Sequence, residues 1–111
     1  MHLLIITLYR EDLLDEVLSG LVEMEVTGAT VLDGTPMERI LSEDVPIFAG
    51  LLPAGSGRSS VIVAPIKDPS LLDPLIRLFR ETGVDFTRPG VGRLFLVPVD
   101  FCLGPEGGEP P

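Results

Sequence analysis

Four residues near the end of the chain, Gly90-Val91-Gly92-Arg93, have the types and the spacing to hold an anion. Glycine lets a backbone approach a ligand closely and take up positive φ. Arginine presents a planar fork of donors matched to phosphate or carboxylate. A Gly-x-Gly-Arg turn leading into a strand therefore offers N–H groups and a guanidinium to one negative group. Arg80 and Arg88 are close in sequence, so three of the eight basic residues fall in this region. With no ligand, the same four residues make a plain glycine-rich turn between a helix and the last strand. Other reactive chemistry is sparse. The chain has one histidine, His2, and one cysteine, Cys102, and it offers no nucleophile–base pair, so no catalytic residue is assigned and no enzyme is expected. Asp12, Asp15, Glu16 and Glu23 mostly lie off the apolar stripe of a predicted helix, which marks a solvated face rather than a pair of working carboxylates.

The elements that position the turn follow from the hydrophobic pattern. His2 to Leu8 is a near-continuous apolar run with β-branched residues at its centre, the pattern of a buried strand. A helix begins at Tyr9-Arg10-Glu11-Asp12, with Leu14, Val17, Leu18, Leu21 and Val22 on one face. Val26 to Val31 turns the chain about Gly28 and starts a second strand, which continues, bent at Gly34 and Pro36, to Leu41. Ser42 to Arg58 has no clean period, and its Ile47, Phe48, Leu51 and Leu52 need cover from the domain, a neighbouring subunit or a partner. Ser59 to Ile66 is a third buried strand. Asp68 is an N-cap and Pro69 a first helical residue for a helix with Leu72, Leu75, Ile76 and Phe79 inward. Pro74 either kinks this helix or marks a start near Asp73, and Gly83 ends it. The last strand, Arg93 to Val99, carries Pro98, which suits a sheet edge.

This order predicts an α+β, ferredoxin-like βαββαβ domain over residues 1–102: a four-stranded antiparallel sheet with two helices on one face. Residues 103–111, rich in Gly, Pro and Glu, are expected to be a disordered tail. Three strands are apolar on both faces, so the sheet face without helices predicts self-association, trimers among the options. A net charge of −9 disfavours nucleic acid and anionic membrane as partners. No apolar run approaches the ~20 residues of a membrane span, no signal-peptide pattern opens the chain, and a single cysteine fits a reducing cytoplasm.

Three groups of residues together resemble the PII-like superfamily of trimeric signalling proteins. Val26-Thr27-Gly28-Ala29-Thr30-Val31 is similar to the turn and strand after the first PII helix. The segment closing with Leu52-Pro53 stands in the place of the T-loop. Thr82-Gly83 followed by Gly90-Val91-Gly92-Arg93-Leu94-Phe95 is similar to the helix end and the B-loop pattern G-x-G-K-x-F. The resemblance covers roughly residues 1–100 and implies a non-catalytic homotrimer with an adenine nucleotide, or a similar small anion, between subunits and no obligatory cofactor. It implies backbone contacts from Gly28, Ala29 and Thr30 to adenine or ribose, and N–H groups of Gly90, Val91 and Gly92 on phosphates. Arg93 would replace the family's lysine, and Arg39 at the loop base would contact phosphate; Arg88 joins them on charge and proximity. Residues 42–58, through Ile47, Phe48, Leu51 and Leu52, would dock on a target protein, a transporter or an enzyme. Three departures qualify this, one being that the loop between Gly83 and Gly90, with Phe86 and Pro89, is longer than is usual in the family. The long segment lacks the tyrosine-bearing stretch of PII proteins, so no uridylylation is expected. The loop base, Gly34-Thr35-Pro36-Met37-Glu38-Arg39, lacks the glycine–aromatic–glycine pattern tied to 2-oxoglutarate and Mg²⁺. A CutA-type metal-handling trimer shares the fold and is the alternative, with only His2, Cys102 and three methionines as ligands. An acylphosphatase-like hydrolase and an RRM-type RNA binder fit worse: the first lacks a nucleophile and base, the second lacks stacking aromatics and positive charge.

Overall fold

Burial alternates along β1 (His2–Leu8): Leu4, Ile6 and Leu8 are completely buried, while Leu3, Ile5 and Thr7 are half-buried. Such a period-2 pattern means that only one face of the strand is packed against other elements. The computed structural model describes residues 1–44 and 58–104, the side chains of 42–44 excepted. Over these residues the elements are β1, α1 (Leu14–Glu23), β2 (Thr30–Gly34), α2 (Met37–Asp44), β3 (Ser59–Ile66), α3 (Leu72–Glu81) and β4 (Gly92–Pro98). The four strands form one sheet in the order β2-β3-β1-β4, every pair antiparallel. This is the ferredoxin-like α+β arrangement that the hydrophobic pattern predicts. Pro98 does fall on an edge strand, where a missing N–H costs no ladder bond.

The core repeats itself. Leu4, Ile6, Leu8, Val17, Leu21 and Val26 in the first half match Ile62, Ala64, Ile66, Leu75, Phe79 and Val84 in the second, each pair 58 positions apart and all twelve buried. Local structure keeps the same offset. A 3₁₀ turn (Glu11–Leu13, Pro69–Leu71) leads into each ten-residue helix. Each helix then ends in the same pair of hydrogen bonds: Val26 N–H to Leu21 O with Glu25 N–H to Val22 O, and Val84 N–H to Phe79 O with Gly83 N–H to Arg80 O. These are Schellman ends, which require a left-handed residue just past the helix. In the second half that residue is Gly83 (φ 96), as the sequence predicts. In the first half it is Glu25 (φ 63), not Gly28. Because a side chain in this region costs about 1 kcal/mol that glycine avoids, Glu25→Gly is expected to raise the midpoint of urea unfolding, with no change in slope.

The two helices touch where one lacks a side chain. Gly20 on α1 is buried, and a Cβ there would lie 2.7 Å from the Phe79 ring of α3. Asp68 caps the second turn as predicted, its Oδ1 accepting from Ser70 N–H at 3.0 Å, and Pro74 sits in the first turn of α3, where its missing N–H is harmless. Two expectations are corrected. The second strand stops at Gly34 rather than running to Leu41; residues 37–44 are helical, because Pro36 fixes φ for a helix start and its carbonyl accepts from Arg39 N–H. The first helix does not begin at Tyr9 but after Arg10, whose guanidinium pairs with Asp12. The unperiodic segment therefore begins later than Ser42, and Ile47, Phe48, Leu51 and Leu52 lie outside the described residues, as do residues 105–111.

Candidate functional site

The 58-residue symmetry breaks after the helices. Three residues separate Val26 from the first residue of β2, whereas Val84 is followed by the longer connection 85–91 before β4. The extra residues are folded tightly. Asp85 Oδ1 accepts from the Thr87 hydroxyl at 2.6 Å and from Thr87 N–H at 3.0 Å, and its carbonyl accepts from Arg88 N–H at 3.2 Å. Phe86 sets its ring edge against Phe79 with centroids 5.9 Å apart and fixes the connection to α3. The connection forms one end of a cavity of about 500 Å³, whose sides are α3 (Leu72, Ile76, Arg80) and β4 from Gly92 to Leu96. The lining is mostly aliphatic and aromatic, with Arg80 and Asp85 as charged residues, and Arg93 borders it from β4 with its side chain on the helix-free face of the sheet.

The predicted site residues fall into separate groups. Gly92 and Arg93 line this cavity, with Gly90 (φ 82) in the turn just before them and facing open space. Val91 is buried, its carbonyl accepting from Tyr9 N–H at 3.0 Å, so its side chain serves the core. Arg88 is mostly exposed and lies 3.8 Å from the Asp85 carboxylate, an ion pair on the outer side of the connection. Arg39 is on α2, half-buried. Gly28 lines a second cavity of about 400 Å³ with Glu25, Lys67 and Asp68, and Ala29 and Thr30 follow it into β2. β2 and β4 are opposite edges of the sheet with β3 and β1 between them, and Thr30 is level with Phe95, whereas Gly92 is level with Asp33. Within one chain, Gly28–Thr30 and Gly90–Arg93 are therefore not brought together.

Arg80 and Thr7 join the site through geometry that motif spacing does not reveal. Arg80 reaches the cavity because α3 and β4 flank it. Thr7 is directly opposite Arg93 across the β1–β4 ladder, on the face without helices, and its buried hydroxyl oxygen has no hydrogen-bond partner. Around this pair the helix-free face is apolar: Leu3, Ile5, Val61 and Val63 are half-buried, and Phe95, Val97 and Leu32 are more than a third exposed.

Asp85 is the titrating group of the connection. Hydrogen bonds from Thr87, first the hydroxyl and then the backbone N–H, hold its carboxyl below the usual carboxylate range, and Arg80 and Arg88 add to this. The fold thus favours the ionised form. The stabilisation is complete at neutral pH, above the ordinary aspartate pKa, and is lost as pH falls through the lowered value. A carboxyl-carbon NMR titration is expected to put the Asp85 midpoint below that of a model aspartate, and Asp85→Asn to remove this part of the acid sensitivity of unfolding.

Among the described residues there is no group of three or more His, Cys, Asp or Glu side chains placed to share a metal ion, and no helix long and apolar enough to cross a membrane. No protein-family model matches the chain, and no curated protein matches it.

Proposed function

We propose that this chain is a PII-like regulatory protein that works as a homotrimer in the cytoplasm without catalysing a reaction. An adenine nucleotide or a similar small anion binds at the seam between subunits, against Arg93 and the N–H groups of Gly90 and Gly92. The ligand changes the state of the 42–58 segment, which engages a target protein, a transporter or an enzyme. The observation that carries this reading is the position of the Gly-Val-Gly-Arg turn. It closes the one connection that departs from the internal symmetry, and Gly92 and Arg93 line the cavity that this connection bounds. The separation of Gly28–Thr30 from Gly90–Arg93 within one chain also supports a ligand shared between copies. The exposed apolar sheet face supplies the reason for copies to associate.

Calorimetric titration with ATP, ADP, AMP and cyclic nucleotides tests this. Saturable heat is expected with at least one of them, weakened by about tenfold or more in Arg93→Ala, since loss of a charge-assisted contact is worth about 1.5–3 kcal/mol. No heat with any of them rejects the anion site. Stoichiometric copper binding in its place would favour the CutA-type reading.

A further inference from the structure

The cavity between α3 and β4 has an apolar length and a charged end. Leu72, Ile76 and Arg80 are spaced four apart, so they form one stripe along α3. Leu94 and Leu96 pair with Ile6 and Leu4, which are completely buried, so they share the helix side of the sheet. The two rows line opposite sides of the same cavity. From Leu72 to Arg80 the stripe is about 12 Å long, at 1.5 Å per helical residue. α3 ends and β4 begins at the two ends of the connection, so Arg80, Asp85 and Thr87 gather beside Gly92. Leu72 and Leu96 fall at the far end. The volume, about 500 Å³, is inside the range of small-molecule sites, roughly 300–1,000 Å³.

We propose that this cavity binds a free α-amino acid with an apolar side chain. The ligand's carboxylate pairs with Arg80, its ammonium with Asp85, and its side chain runs along Ile76, Leu94 and Leu96 toward Leu72. The protein groups have capacity for this. Asp85 Oδ1 is taken by the Thr87 hydroxyl at 2.6 Å and the Thr87 N–H at 3.0 Å. Its Oδ2 lies 3.8 Å from Arg88 Nε, beyond hydrogen-bond reach, and can still accept. The Thr87 hydroxyl gives its proton to Asp85, so its own lone pairs are open to the ammonium. Arg80 is exposed on the last turn of α3, with five N–H donors. Other ligand classes leave a charge unmatched. An apolar acid would suit Arg80 but bring a second carboxylate to Asp85. An apolar amine would suit Asp85 but meet the guanidinium. A nucleoside phosphate brings several negative charges to a place where the protein's two charges cancel. An α-amino acid carries both charges at one end and an apolar group at the other, as the cavity does. All of these groups belong to one chain, so the site needs neither a second copy nor the anion proposed at Arg93, whose side chain is on the other face of the sheet.

Titration of the full-length, isotope-labelled protein with leucine, isoleucine, methionine and phenylalanine, followed by two-dimensional NMR, tests it. At least one is expected to bind saturably at millimolar concentration or below. It should move the amide signals of Arg80, Asp85, Thr87, Leu94 and Leu96, and leave those of Val31 and Leu32 on the other edge in place. Three analogues of that amino acid take its parts away. The amide removes the negative charge, the des-amino acid removes the positive charge, and glycine removes the side chain. Each should bind weaker by about tenfold or more. Arg80→Gln, at an exposed helix position, and Asp85→Asn, which keeps an acceptor for Thr87, should each weaken the parent amino acid by a similar factor. No saturable shift at these amides overturns the proposal. Shifts confined to other residues overturn it too, as do analogues or variants that bind as tightly as the parent pair. A chain that takes up no nucleotide and stays monomeric leaves this result untouched, so the two proposals fail separately.

Discussion

Phe79→Ala is expected to lower the free energy of unfolding by about 3–5 kcal/mol, the range for removing a large buried aromatic ring. The Phe79 ring is completely buried between the helices, lies against the place on Gly20 where a Cβ would be, and takes the edge of Phe86 at 5.9 Å. Removing it leaves a void that α1 cannot fill, because Gly20 has no side chain to move in. The loss also spreads toward the candidate site, since Phe86 ties the 85–91 connection to α3 through this one ring. A protein of this size has about 5–15 kcal/mol in total, so the variant should be marginal at 25 °C. Urea unfolding with linear extrapolation checks it. A loss under about 1 kcal/mol would mean that the helices do not pack as described.

Gly92→Ala is expected to cost roughly 2–4 kcal/mol, where the neighbouring Gly90→Ala costs about 1. Gly92 has φ 146, and a Cβ there would overlap the carbonyl oxygen of Thr7 and come within 3.1 Å of Leu8 Cα. Both obstacles are backbone atoms of β1, buried in the centre of the sheet, and cannot swing away as a side chain would. Gly90 also has positive φ, but no described residue lies within 4 Å of the Cβ position. Thermal unfolding of the two variants side by side separates them, and equal losses would contradict the close approach of β4 to β1. The comparison bears on function. Gly92 is needed by the sheet whether or not a ligand binds. Gly90 meets no such obstacle among the described residues, so its substitution leaves the sheet intact and tests the turn alone.

Much of the architecture was readable from residue types because the core follows a strict pattern. β1 and β3 are near-continuous apolar runs, and Val17, Leu21, Leu75 and Phe79 fall at helical spacing, so the strand and helix assignments needed only local signals, although only one face of each strand is fully buried. Asp68, Gly83 and Pro98 each act through their own backbone chemistry, which is why single residues marked a helix start, a helix end and a sheet edge. The failures have a common cause as well. Glu25 takes the left-handed position that glycine usually marks, so composition pointed to Gly28. Gly34 and Pro36 suit a bend in a strand, but proline suits a helix start as well as a sheet edge. The site was less legible than the fold. Arg93 and Gly92 were marked by their spacing, but Arg80 joins them only because α3 and β4 flank one cavity, and Thr7 only through the ladder register. Gly28–Thr30 and Gly90–Arg93 lie on opposite edges of the sheet with two strands between them, a relation that depends on strand order and is invisible in a linear motif.

The proposed function depends on copies of this chain associating. The most direct test is the mass of the particle in solution, measured by sedimentation equilibrium at micromolar concentration and neutral pH. Three chains per particle is the result expected here. A single chain of 11.9 kDa that stays monomeric as its concentration rises would contradict it.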